Sequence, residues 1–226
     1  MIHIPARGAM FALSLAVLAV LTAGSDAGGG KKVYKSPQDV FDAAKAALDK
    51  KDIKAFAGCL TEDSRDQFAG GMMFVSLMMK GFTEQFGKDE DKAKLKELNE
   101  ILSKHGITEE FIKSLPKPEI TPKDKKPDRE ELTKAMRKLL TPVKDRSAFI
   151  ADMIGFLDRT SKKSGGGFNE QIGANPMLKD VKIEGDTAKG VIVATRDGKE
   201  VRTPVEFKRE GGGWKIDLPM PEAKKK

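Results

Sequence analysis

One cysteine, one tryptophan, one tyrosine and two histidines in 226 residues leave little material for an active site. A lone Cys59 forms no intramolecular disulfide, so the domain must be stable through packing even in an oxidising compartment. His3 lies in a leader that is expected to be removed. A Ser-His-Asp or Cys-His nucleophilic site would therefore have to use His105. Cys59 and His105 would also need two carboxylates beside them to hold a tetrahedral zinc, and no such pairing is visible in the sequence. Aromatic residues make up only 6% of the chain, and the net charge of +7 comes mostly from lysine. Nucleic-acid surfaces favour planar arginine forks and exposed rings for stacking. A lysine surplus without such rings reads as a solvated basic surface and argues against a nucleic-acid partner. Gly28, Gly29 and Gly30 are not set in a strand–loop–helix context, so they make no phosphate loop. The longest apolar run, Ala9 to Leu21, is about 13 residues, short of the ~20 that span a bilayer.

That run is instead the h-region of a secretory signal peptide, with Arg7 before it and small residues after it. Ser25 and Ala27 stand at −3 and −1 of a cleavage site after Ala27, and Ala23 with Ser25 is the second choice. LTAGS resembles a lipoprotein signal in which Ser25 stands where the lipidated Cys would be, so lipid anchoring is excluded there. Residues 1–27 are therefore expected to be removed, leaving a periplasmic or extracellular protein with no transmembrane span.

Residues 28–35 read as a flexible basic leader and 36–165 as a helical region. Ser36-Pro37-Gln38-Asp39 is an N-cap, a proline at the first helical position and an acid at N3. Val40, Phe41, Ala44, Ala47 and Leu48 follow at helical spacing. Asp52 caps a second short helix and Thr61 a third. In the third, Phe68, Met72, Val75, Met79, Phe82 and Phe86 step along one side while Met73, Phe74, Leu77 and Met78 fill the others. A helix apolar all round is expected in the middle of a protein, with a break allowed at Gly70-Gly71. A helix over 88–105 with Leu95, Leu98, Ile101 and Leu102 on one face ends at Gly106, and Thr108 caps one more turn. The proline- and lysine-rich stretch 116–127 is a connector. A helix over 128–140 buries Leu132, Met136, Leu139 and Leu140. Pro142 opens the last helix, with Phe149, Ile150, Met153, Ile154 and Leu157 buried. Residues 166–177 read as a linker and 219–226 as a basic tail.

From Leu178 to Leu218 the period falls to two. Gly185-Asp186, Asp197-Gly198 and the glycines 211–213 are hairpin signals, which gives a four-stranded antiparallel meander. Val201, Thr203, Val205 and Phe207 share the inward face with Trp214, Ile216 and Leu218. The fold class expected is α+β, with helices packed on one face of that sheet.

SPQDVFDAAKAALDKKDIKAFAGCLTEDSR (36–65) resembles the helical opening of the nuclear-transport-factor-2-like, or SnoaL-like, cone superfamily. GDTAKGVIVATRDGKEVRTPVEFKREGGGWKIDL (185–218) resembles its closing strands. Exported bacterial members look most similar. The resemblance implies a cone-like sheet, with the long helical middle as an insertion that fills or covers the pocket. Enzymes of that superfamily use Asp, His or Tyr in the pocket, but the superfamily also holds ligand carriers and interaction modules.

Each candidate residue also has a structural reading. Cys59 lies with Ile53, Phe56 and Leu60 on one helical face, which makes it a small core filler. His105 continues the Leu95–Leu102 stripe to a helix C-terminus, which suits capping. Tyr34 sits in the leader. Glu62, Asp63 and Asp66 stand at a helix start, where acids answer the dipole. Met72, Met73, Met78 and Met79 invite a Cu(I) reading, but they point several ways round one helix, as core residues do. On the strand TAKGVIVATR, the small Ala188, Gly190 and Ala194 beside Ile192 leave room for a cavity or for close packing. No catalytic, cofactor or metal residue is assigned. The expectation is a non-catalytic exported module with an unknown protein or small-molecule partner. The alternatives are a carboxylate-dependent hydrolase or isomerase in a cone pocket, and docking to anionic envelope polymer through Lys31, Lys32, Lys35 and Lys224–Lys226. Amino-terminal sequencing of the exported protein should find Gly28 first. An intact Met1 would show a retained anchor and overturn the expected localisation.

Overall fold

The computed structural model describes residues 32–115, 129–161, 174–196 and 198–218. The expected signal peptide 1–27, residues 28–31, the connector 116–127, most of the 166–177 linker and the 219–226 tail lie outside them, as does the side chain of Leu132.

Helix α1 (Pro37–Asp49) begins as its sequence dictates. Ser36 Oγ accepts from the Asp39 amide at 3.1 Å, and the Asp39 carboxylate accepts from the Ser36 amide at 3.0 Å. Its buried stripe, Val40, Phe41, Ala44, Ala47 and Leu48, lies over the sheet. Asp52 caps α2 (Ile53–Gly58) by accepting from Ala55 at 2.9 Å. Thr61 caps α3 (Glu62–Phe86) by accepting from Ser64 at 3.2 Å. The break allowed at Gly70-Gly71 does not occur, and α3 runs through both glycines. A Cβ on Gly70 would lie 2.7 Å from the Met136 side chain, so the glycine admits a neighbouring helix at close range.

Helices α4 (Asp89–Lys104) and α5 (Glu109–Ser114) follow, with Gly106 at φ +80° between them. After α6 (Arg129–Leu139), Pro142 sits in a turn, and α7 (Arg146–Ser161) starts later than expected. Asp145 opens α7, because its carboxylate accepts from the Ala148 amide at 2.9 Å and so satisfies a first-turn donor. Helix α3 packs against α4, α6 and α7, and α7 also packs against α2 and α4.

Strands β1 (Ala174–Glu184), β2 (Thr187–Arg196), β3 (Lys199–Glu210) and β4 (Gly213–Asp217) pair antiparallel in the order 1-2-3-4. The fold is α+β, with helices on one face of a meander sheet. β1 begins at Ala174, inside the stretch expected to be linker. Its register slips between Ala174 and Met177 and again between Lys179 and Lys182, beside Asn175 at φ +49° and Asp180 at φ +55°. Two irregularities in one strand hide its period of two.

The glycines before Trp214 have two separate jobs. Glu210 pairs with Gly213, which leaves Gly211 (φ +62°) and Gly212 (φ +83°) as a two-residue turn with both residues left-handed. Gly213 belongs to the strand, and a Cβ there would lie 2.9 Å from the Tyr34 amide nitrogen. Tyr34 therefore does not sit in a free leader. Its carbonyl accepts from the Trp214 amide at 2.9 Å along the open edge of β4. Trp214 is 1% exposed among the core residues, with the Arg209 guanidinium 5.0 Å from its ring centroid. Emission from this single tryptophan should lie at short wavelength in the folded protein and shift red in denaturant. Trp214→Ala should cost about 3–5 kcal/mol. Native emission that is already water-like and unmoved by denaturant would reject the register.

Candidate functional site

Several ionisable groups hold helices together. Asp66, read from sequence as one of several dipole acids, is 1% exposed and lies between two arginines. Arg137 Nε donates to Asp66 Oδ2 at 2.9 Å, and Arg146 Nε lies 2.6 Å from Oδ1. Arg137 also reaches Asp63 at 2.7 Å. A carboxylate held by two cations is a poor general base, and here it ties α3 to α6 and α7. The partners stand 71 and 80 residues along the chain, so no local pattern announced them.

His105 caps the end of α4, and its ring is largely buried. Its Nε2 lies 2.7 Å from Asp152 Oδ2, and its ring meets Phe149 edge-on at 5.2 Å. Lys104 donates to the same Asp152 oxygen at 2.7 Å. Beside this cluster Glu97, Glu100, Lys104 and Arg159 border an open groove of about 250 Å³ between α4 and α7. A larger hollow of about 480 Å³ is lined by α4 residues alone. Among the described residues no thiol or hydroxyl is hydrogen-bonded to His105, so the His–Asp pair lacks a nucleophile. Cys59 lies elsewhere, 3.5 Å from the Tyr34 hydroxyl. Burial pushes its thiol pKa up, which leaves it protonated and unreactive.

The methionines diverge. Met73 is fully buried, Met72 and Met79 are partly buried, and Met78 is 62% exposed. No group of three or more His, Cys, Asp or Glu side chains suited to a metal occurs among the described residues. The small residues of β2 leave no cavity either, since a Cβ on Gly190 would lie 2.9 Å from Leu178 Cδ1.

One feature departs from expectation in kind. Helix α3, expected to be buried all round, turns an apolar face outward: Phe74, Val75, Met78, Phe82 and Phe86. Their exposures run from 47% to 68%. The Phe82 and Phe86 rings lie 5.2 Å apart in a tilted pair. The buried side of the same helix carries Ser64, Asp66, Ser76 and Lys80 beside Phe68, Ala69, Gly70 and Met73. Ser76 Oγ donates to the Met72 carbonyl at 2.7 Å, and Lys80 donates to Glu84 at 2.5 Å. The inward side thus mixes polar and apolar groups, while five large apolar side chains stand on the side that meets water. Sequence reasoning found the apolar residues but not the side they occupy, because a helix apolar all round carries no directional signal. Contiguous exposed apolar patches of this kind are uncommon on monomeric proteins.

Comparison with family models, curated proteins and solved structures finds no match for the chain. No helix among the described residues is long and apolar enough to cross a membrane.

Asp152 supplies a measurable pH response. Its burial alone would raise its pKa, but the bonds from Lys104 and His105 outweigh that and hold it below the ordinary 3.8. A carboxylate with a depressed folded-state pKa contributes stability that is full above its unfolded value and lost as pH falls through the folded one. The urea midpoint, read from Trp214 emission, should fall as pH drops below 3.8. Asp152→Asn should be less stable at neutral pH and show a shallower acid decline. An acid decline as steep in the variant as in the native chain would remove Asp152 as its source.

Proposed function

We propose that the chain is an exported, non-catalytic interaction module that docks onto another protein surface through the outer face of α3. The observation that carries this reading is the outward run of Phe74, Val75, Met78, Phe82 and Phe86 along α3. Fully burying such a side chain contributes roughly 1.5–3 kcal/mol, and these five, about half to two thirds exposed, forgo a corresponding share that docking recovers. Export is supported by the signal-peptide layout of residues 1–27. We infer a distant relation to the nuclear-transport-factor-2-like cone. The arrangement of the opening helix α1 over the closing strand β4 supports it.

A carboxylate enzyme is the weaker reading, because Asp66, Asp145 and Asp152 are each committed to a neighbouring cation or helix end. Of the residues invoked for polymer docking, Lys32 and Lys35 lie on the described surface, and Lys31 with Lys224–Lys226 lies outside the described residues.

Photo-cross-linking tests the surface directly. A benzoylphenylalanine at position 82, irradiated in the producing cell, should give protein adducts. The same group in place of the exposed Lys208 on the sheet should not. Equal yields at the two positions would overturn the assignment of the α3 face.

A further inference from the structure

The α3 face carries a pattern that specifies its occupant. Gly71, Val75, Met78, Phe82 and Phe86 form a seam spaced by four, three, four and four residues, with Phe74 and Gly81 alongside. Spacing of this kind is what helix pairs bury between them. Nothing lies within 4 Å of a Cβ built on Gly71 or on Gly81, so both are hollows in the outer surface. The seam is also complementary to itself when read backwards about Met78. Phe82 then falls opposite Phe74, Val75 opposite the hollow at Gly81, and Phe86 at the Gly70-Gly71 step. A foreign partner places no such demand on the sequence, whereas a two-fold axis does. Electrostatics do not oppose the pairing. Lys80 and Glu84 are the only charged residues from Gly71 to Phe86, and they bond to each other.

The area suffices. With ~150–250 Å² per phenylalanine and the exposures of this face, the five side chains present about 550 Å² per chain. Two copies then exceed the ~1,000 Å² that a specific interface needs.

We infer that the occupant of this face is a second copy of the chain, its α3 packed antiparallel against the first about a two-fold axis near Met78. This rests on the proposed docking role of α3 and adds the identity and geometry of the partner.

Sedimentation of the exported, purified chain tests it. At a loading of about 100 μM, where a dimer with a dissociation constant of about 10 μM is mostly formed, the native chain should sediment as a dimer. Phe82→Glu should weaken association at least tenfold while leaving Trp214 emission and the urea midpoint of the monomer unchanged, because position 82 is exposed. Register is read by disulfides, with Cys59 buried and out of reach. Met78→Cys should cross-link to itself on oxidation. Phe86→Cys should cross-link to Gly71→Cys rather than to itself. A native monomer at this loading, or a dimer that Phe82→Glu leaves intact, overturns the proposal. A monomer whose position 82 still forms adducts in the cell rejects the second copy alone. A monomer without adducts rejects the docking role as well.

Discussion

The open edge of β4 organises the molecule. β4 is a five-residue strand with β3 on one side only, and its free edge must satisfy backbone donors and acceptors close to the core. Two separate pieces of chain do this. The Trp214 amide donates to Tyr34, the Ile216 amide donates to Cys59, and the Ile216 carbonyl accepts from Thr61, each at 2.9 Å. Tyr34 lies three residues before α1, and Cys59 to Thr61 form the corner between α2 and α3. Satisfying one short edge therefore sets where three helices leave the sheet.

A polar knot locks the corner. Thr61 and Ser64 hydroxyls both reach Asp217 Oδ1, at 3.1 and 2.9 Å, and Ser64 Oγ accepts from the Leu218 amide at 2.8 Å. One turn further along, Asp66 takes Arg137 and Arg146 and draws α6 and α7 against the same end of α3. The first half of α3 is thus fixed on several sides. The second half has α4 and α7 on one side, and its other side meets no element of the described chain. Twenty-five residues at 1.5 Å each reach about 37 Å, about the width of a small domain, so a helix pinned at one end overhangs what pins it.

This division explains what could be read in the sequence. Caps and turns are local, so Ser36, Asp52, Thr61 and Thr108 stood out as helix starts and Gly211-Gly212 as a hairpin. The inward face of β3 and β4 followed from alternation. What escaped was non-local or irregular. Asp66 looked like any first-turn acid until two distant arginines closed on it. Tyr34 looked like leader because nothing in its neighbours mentions β4. β1 was cut short because two slips break its period. Pro142 looked like a helix start, but Asp145 is the better cap. The α3 face was misplaced for a different reason: its residue types were read correctly, and their direction is set by long-range packing.

That direction is itself informative. An ordinary surface helix puts polar groups in water and apolar groups inside, whereas α3 from Gly70 onward buries Met73 yet also leaves Phe74, Val75, Met78, Phe82 and Phe86 in water. Ser76 bonds its hydroxyl to its own backbone with Met153 Sδ 3.5 Å away, and Lys80 spends its charge on Glu84 within the same helix, so these inward polar groups are satisfied as they stand. Phe74, Met78, Phe82 and Phe86 have no such internal remedy, since an exposed ring gains only by leaving water. The inward side is satisfied as it stands and the outward side is not.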